Sequence, residues 1–185
     1  DNFLNNKNST NLIHLTMHNQ HFDSTSVVDS VLNIIVRQET YMGYNYTSAR
    51  MKTKLSWKYG RFEALIDLPA TTGFVPAFWL LPADNMYGWW PNSGEIDIME
   101  HVGYDNDTIH GTIHTQAYNH MKGTQKGKTI FIDNPNDEFH VFSVEWTPEK
   151  IDFMLDGVVY NHIENEHKTT AEWPFDQKFY LILNV

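Results

Sequence analysis

Short runs of β-branched and aromatic residues recur at roughly ten-residue intervals from Val27 onward, separated by glycine, proline, asparagine and aspartate. This spacing is typical of an all-β sandwich, in which each short strand is followed by a turn. No window of helical length keeps a 3.6-residue apolar period, which argues against long helices. Before residue 27 the apolar positions are scattered, and only residues 12–17 suggest a strand, at the edge of a sheet.

Two segments show the strand pattern in detail. In residues 60–69 apolar side chains alternate with polar ones, so that one face of a strand is apolar and only Leu65 breaks the alternation. Residues 141–163 read as strand, turn, strand, a two-residue turn at Asp156 and Gly157, and a further strand. Glycine accepts the positive φ that a type I′ hairpin turn requires. These segments predict antiparallel strands joined by tight turns.

The composition narrows the class of protein. A chain of 185 residues corresponds to one domain at about 150 residues per domain, so we expect residues 1–185 to form a single domain. The net charge is −10, so the chain lacks the excess of lysine and arginine that is typical of a nucleic-acid-binding protein. No apolar run approaches 18 residues, so no membrane insertion is expected. The absence of cysteine excludes disulfides, a thiolate nucleophile and cysteine-ligated metals.

Three carboxylates lie within six residues, interleaved with isoleucine and methionine. On a regular strand Glu95 and Asp97 share one face, and Glu100 lies on the other face among the isoleucines. An unpaired charge buried there would cost several kcal/mol. A one-residue β-bulge near Ile98 and Met99 resets the alternation and returns Glu100 to the face of the other two acids. We therefore predict a bulged strand with three acids on one surface.

Such a row of acids is suited to glycoside hydrolysis with retention, which uses two carboxyl groups about 5–5.5 Å apart. Acids this close cannot all ionise cheaply, so at least one pKa is expected to rise and leave a proton for the leaving group. The other glutamate would stay charged as the nucleophile, with Asp97 between them as its hydrogen-bonding neighbour. The alternatives are a solvated acidic face on an edge strand, or a calcium site.

A second segment contains histidines that a neighbouring strand could place beside the acids. In residues 108–116 isoleucine and glycine alternate with a polar face that holds His110, Thr112 and His114. Two histidines four residues apart bind zinc on a helix, but the Gly-Thr-Ile sequence between them favours a strand, and no HExxH motif occurs. We predict histidines beside the carboxylates rather than a metal pair.

Tryptophan supplies the apolar half of a carbohydrate site, because indole stacks on the C–H faces of sugar rings. Trp79, Trp89 and Trp90 all lie within sixteen residues before Glu95, in segments rich in proline and glycine. Core packing is the alternative for any of the six tryptophans. We expect Trp79 and Trp90 to bind substrate. The tryptophans expected in the sandwich core are Trp57, Trp146 and Trp173.

The string GEIDIMEHVGYD, preceded by VPAFWLLPADNMYGWWPNS and followed by IHGTIHT, closely resembles family 16 of the glycoside hydrolases, specifically its laminarinase-like endo-β-1,3-glucanases. The match runs in order from about Val31 to Asn184 and includes SVLNIIVRQE, YTSARMKTK, YGRFEA and FYLILNV. The resemblance implies a β-jelly-roll sandwich of two antiparallel sheets, concanavalin A-like, with a concave substrate cleft. It also implies a retaining double displacement on β-1,3-glucan.

The resemblance assigns roles to single residues. It implies Glu95 as the nucleophile, Asp97 as the assisting acid and Glu100 as the acid/base. The substrate-binding positions that it implies are Trp79, Trp90, His114, Glu63, Arg50 and Asn184. No cofactor or catalytic metal is implied, and a structural calcium ion is left open. Relatives begin earlier and run further, so we expect the domain to be incomplete at both termini.

Other functions stay open at this point. Within the same family, the alternatives are a mixed-linkage β-1,3-1,4-glucanase and an agarase- or carrageenase-like hydrolase, although the few basic residues of the chain favour a neutral glucan. A non-hydrolytic β-glucan-binding protein is a further alternative, but the presence of all three acids argues against it. A calcium-stabilised sandwich without a sugar role is another alternative. The polymeric substrate implies a secreted, periplasmic or cell-surface protein, and we expect a monomer.

Overall fold

The computed structural model describes residues 15–17, 24–69, 73–105, 107–133 and 135–185, with the backbone alone for 15–17. These residues form short β-strands and the 3-10 helix His120–Lys122. The strands in chain order are β1 (Leu15–Met17), β2 (Thr25–Val28), β3 (Val31–Ile34), β4 (Arg37–Tyr41), β5 (Tyr44–Thr47), β6 (Arg50–Thr53), β7 (Gly60–Ile66), β8 (Ala77–Pro82), β9 (Glu95–His101), β10 (Thr108–His114), β11 (Lys126–Phe131), β12 (His140–Trp146), β13 (Lys150–Leu155), β14 (Val158–Glu164) and β15 (Phe179–Asn184).

The strands assemble into two large antiparallel sheets and two separate hairpins. The seven-stranded sheet has the order β1-β6-β15-β8-β9-β10-β11, and the four-stranded sheet has the order β14-β13-β12-β7. The hairpins are β2-β3 and β4-β5. The predicted edge strand is present as β1, and residues 12–14 of that prediction lie outside the described residues. Within the described ranges, no helix is long and apolar enough to cross a membrane.

The two large sheets share one apolar core. The seven-stranded sheet contributes side chains that are almost completely buried: Phe78, Leu80, Ile96, Ile98, Met99, Ile109 and Ile113. The four-stranded sheet contributes Phe142, Val144, Trp146, Ile151 and Phe153. Full burial of one such side chain contributes about 1.5–3 kcal/mol. The prediction of core tryptophans is confirmed, since Trp173 is buried as well and Trp57 packs against the same cluster.

The predicted strand patterns are confirmed in both segments. In β7 the apolar positions pack on the core, whereas Leu65 points outward and is exposed. Between β13 and β14, Asp156 and Gly157 have φ values of 48° and 80°, the pair of positive angles that a type I′ turn requires. The prediction of an all-β sandwich of antiparallel sheets is therefore correct. The positive φ angles of Asp156 and Gly157 close the hairpin between β13 and β14.

The two sheets approach each other closely where β14 passes behind β10. A Cβ atom built on Gly111 would lie 2.3 Å from the Tyr160 hydroxyl and 2.9 Å from Phe153 Cδ1. The Asn161 side-chain amide donates to the Gly111 carbonyl at 2.9 Å. The Tyr160 hydroxyl is buried and has no hydrogen-bond partner in the described part of the chain. Only glycine fits at this position of β10.

A buried aspartate on the outer face of the four-stranded sheet is held by two cationic groups. The Lys150 ammonium donates to Asp152 at 2.5 Å, and His162 Nδ1 is hydrogen-bonded to the other carboxylate oxygen. Burial by itself raises the pKa of Asp152, but the hydrogen bonds from Lys150 and His162 outweigh it, and the pKa is lowered. Hydrogen bonds to Asp152 and then Glu164 raise the pKa of His162.

We predict that Gly111→Ala lowers the free energy of unfolding by about 1–3 kcal/mol, because the added methyl group overpacks the space between the sheets. Tyr160→Phe alone should be nearly neutral, since the hydroxyl makes no hydrogen bond that would be lost. The double variant should recover part of the loss, because the nearest clashing atom is gone. Urea unfolding of the four proteins measures this, and strictly additive effects would contradict it.

We also predict that His162→Gln destabilises the protein more at pH 5.5 than at pH 9. A raised pKa in the folded state gives stability that is fully present below the unfolded value of about 6.5 and is lost as the pH rises through the folded value. Because the imidazole is nearly half exposed, the effect should stay below about 1 kcal/mol. Thermal unfolding at both pH values tests it. His167→Gln, at a more exposed histidine beside Glu149, is the control and should change little.

Candidate active site

Strand β9 contains the predicted bulge. Between Asp97 and Glu100 it advances three residues while its neighbour β10 advances two, and the same extra residue appears against β8. Ile98 and Met99 are consecutive, yet both lie in the core. The alternation is therefore reset, and Glu95, Asp97 and Glu100 share the face of the seven-stranded sheet that is turned away from the four-stranded sheet. We call this surface the carboxylate face.

Burial and mutual repulsion shape the titration of these acids. Desolvation and then the charge of Glu100 raise the pKa of Glu95 to about 7, although interactions with Trp90, Arg50 and Asp97 partly offset the increase. Asp97 is 2% exposed, and desolvation followed by the charges of its two neighbours raises its pKa well above the ordinary value. Burial also raises the pKa of Glu100. The cluster therefore retains protons at pH values where isolated carboxyl groups are ionised.

A neutral imidazole lies against the central acid. His114, on β10, is paired in register with Glu95, and its Nε2 atom is 3.4 Å from Asp97 Oδ2. Burial, and then the charge of His120, lower the pKa of His114 to about 4. At neutral pH this contact is therefore a polar contact between a neutral ring and a carboxyl group, not an ion pair.

His120 belongs to the same group and was not predicted from the sequence. Its ring centroid lies 5.0 Å from that of Trp90 and 5.1 Å from that of His114, with the two imidazoles nearly perpendicular. The charges of His110 and then His120 lower the pKa of Glu100 against the effect of burial. His120 begins the short 3-10 helix that Asn119 caps. A loop residue has no strand alternation from which its direction can be read.

Trp79 is fixed by residues from two neighbouring strands. Its indole N–H donates to Asn184 Oδ1 at 2.7 Å, and the Arg50 guanidinium lies 4.5 Å from its ring centroid. Trp79 on β8 is paired in register with Asp97 on β9, so the indole shares the carboxylate face. The structure thus brings together Trp79, Asn184 and Arg50, and it places Trp90 and His114 on the other side of the acids.

The predicted role of Glu63 in substrate binding is wrong. Glu63 lies on β7, in the four-stranded sheet, and its carboxylate pairs with Arg61 at 2.6 Å. Its neighbours Phe62 and Ala64 face the core, so Glu63 points out of the opposite side of the sandwich. Both sheets separate it from the carboxylate face.

One group of side chains has the composition of a metal-binding site. Glu95, Asp97 and His114 each offer a donor atom, and these atoms lie within 4.8 Å of one another. No other group of three potential ligands this close occurs among the described residues. Two glutamates with an aspartate between them, flanked by imidazole and indole rings, form an arrangement suited to acid/base and nucleophilic chemistry on a sugar.

Comparisons with known proteins agree with this geometry. The curated beta-glucanase of Rhodothermus marinus is 48% identical over 172 residues, covering 88% of this chain and 60% of that protein. A glucan endo-1,3-beta-glucosidase of Cryptopygus antarcticus is 38% identical over 148 residues, covering 76% of this chain and 54% of that protein. The chain therefore spans less than two thirds of the length of these relatives.

The fold is shared with solved structures as well. The X-ray structure of the laminarinase from Rhodothermus marinus matches with a TM-score of 0.85 and 46% identity, covering 89% of this chain and 69% of that one. This likeness confirms the predicted jelly-roll sandwich. The family model for glycosyl hydrolases family 16 matches residues 5–185. The chain belongs to family 16 of the glycosyl hydrolases.

Proposed function

We propose that the protein is an endo-acting, retaining glycoside hydrolase that cleaves β-1,3-glucans of the laminarin type. The observation that carries the proposal is the bulge in β9, which gives Glu95 and Glu100 a common face with Asp97 between them. The names of the relatives, beta-glucanase, glucan endo-1,3-beta-glucosidase and laminarinase, support β-1,3-glucan as the substrate.

The proposed reaction is a double displacement. In the first step the Glu95 carboxylate attacks the anomeric carbon while the Glu100 carboxyl group gives its proton to the glycosidic oxygen, and the leaving sugar departs. In the second step Glu100 takes a proton from water, which attacks the anomeric carbon and frees Glu95 from the glycosyl ester. Both steps use side chains of this chain and require no cofactor.

The surrounding residues position the acids and the sugar. Asp97 is buried against Glu95 and restricts the orientation of the nucleophile. Trp79 and Trp90, on opposite sides of the acids, offer indole faces for stacking against sugar rings. The chain has 13 lysine and arginine residues against 23 aspartate and glutamate residues, a balance that suits an uncharged glucan better than a sulfated one. Because the substrate is a polymer, we place the enzyme outside the cell or at its surface, and we propose that it acts as a monomer.

We predict that Glu95→Gln abolishes release of reducing ends from laminarin, because the amide cannot form the glycosyl ester. Glu100→Gln should lower the rate about 10²–10⁴-fold through loss of acid/base catalysis. Glu63→Gln is the matched control and should keep full activity, since Glu63 lies on the opposite side of the sandwich.

The assay compares laminarin, mixed-linkage β-glucan and agarose as substrates, with folding checked by circular dichroism. Full activity of Glu95→Gln would contradict the assigned mechanism. Preferential cleavage of agarose would contradict the substrate. Binding of laminari-oligosaccharides by the wild-type protein without any cleavage would instead favour a glucan-binding protein.

We further predict that Asn184→Ala weakens the binding of laminari-oligosaccharides about 3- to 10-fold, because the Trp79 indole loses the hydrogen bond that orients it. Asn184→Asp keeps an oxygen acceptor and should lose less. Calorimetric titration in the Glu95→Gln background measures binding without turnover. Equal losses in the two variants would show that orientation of Trp79 is not the cause.

A further inference from the structure

The donor atoms of Glu95, Asp97 and His114 are arranged closely enough to share one ion. All three lie within 4.8 Å of one another, and His114 Nε2 is 3.4 Å from Asp97 Oδ2. Two ligands at about 2.1 Å from a tetrahedral zinc ion are about 3.4 Å apart, which is the separation of His114 Nε2 and Asp97 Oδ2. Bringing the third donor from at most 4.8 Å to this separation takes a movement of up to about 1.4 Å, which rotation of the partly buried Glu95 side chain can supply.

A second observation points independently to a missing ligand. Asp97 Oδ2 is aimed at His114, is buried with its side chain 3% exposed, and has no hydrogen-bond partner among the described residues. Leaving a buried acceptor without a partner is unfavourable, and doing so beside two further carboxyl groups is more so. A cation among these oxygens would supply the missing interaction and reduce their repulsion.

The ligand types select the kind of ion. An imidazole with two carboxylates suits zinc and related transition metals, whereas calcium and magnesium prefer ligand sets made of oxygen alone. The chain has no cysteine, so no thiolate elsewhere in it competes for zinc. Three protein ligands leave the fourth position of a tetrahedral site to water.

We propose that Glu95, Asp97 and His114 bind one Zn²⁺ ion, and that zinc bound there reversibly inhibits the enzyme. A zinc ion coordinated by Glu95 withdraws the carboxylate from attack and occupies the space of the anomeric carbon. The inhibitory part rests on the proposed function, whereas the binding part does not.

The test is calorimetric titration of ZnCl₂ into the full chain in a buffer that does not chelate metals. We expect one saturable site per chain, and CaCl₂ should give no signal at this site. His114→Gln should weaken zinc binding by more than the roughly 10–100-fold that loss of an outer-shell partner costs. His110→Gln is the matched control, because it lies on the same strand and face opposite Glu100 but outside the three donors, and it should bind zinc as the wild type does.

Substituting Co²⁺ for zinc gives a spectroscopic readout, since a tetrahedral site absorbs in the visible range and that band should vanish in His114→Gln. Circular dichroism confirms that each variant is folded. Absence of saturable binding in the wild type, or binding unchanged in His114→Gln, would overturn the proposed site. If zinc binds but laminarin hydrolysis continues unchanged, the inhibitory part is wrong. If the protein hydrolyses none of the glucans, calorimetry still tests whether Glu95, Asp97 and His114 bind zinc.

Discussion

The position of one extra residue in β9 determines whether the three acids share one face of the sheet. A sheet alternates its side chains strictly, and Glu95 and Glu100 are an odd number of positions apart, so a regular strand would send them to opposite faces. The bulge accommodates Ile98 and Met99 side by side in the core and returns Glu100 to the carboxylate face. The apolar packing beneath the strand therefore holds the geometry of the acids above it.

The acids are held together at an electrostatic cost that the rest of the structure offsets. Asp97 is almost completely buried between two glutamates, a position that favours its protonated form. His114 is kept neutral by burial, so it adds no charge that would fix the acids in their ionised form. The result is a cluster in which the pKa of each of the three acids is raised. General acid catalysis at a glycosidic oxygen requires a carboxyl group that is still protonated near neutral pH.

Alternation along single strands carried most of the information available in the sequence. It was sufficient for β7, for the hairpin at Asp156 and Gly157, and for the bulge, because each depends on neighbours in the chain. It did not show which of two sheets a strand joins. The role of Glu63 came from the family resemblance, and it failed because β7 belongs to the sheet opposite the carboxylate face. The direction of His120 depends on a capped turn and on ring contacts with Trp90, which are tertiary features.

The glycine between His110 and Thr112 lets the two sheets approach each other closely behind the carboxylate face. At Gly111 the strand that carries the imidazoles rests directly on the Tyr160 ring of the opposite sheet, and Asn161 is bonded to its carbonyl. No flexible side chain lies between them to absorb a displacement. The backbone of β10 between the two histidines therefore has no room to move toward β14, and a shift of the Tyr160 ring toward β10 would have to be matched by a shift of that strand.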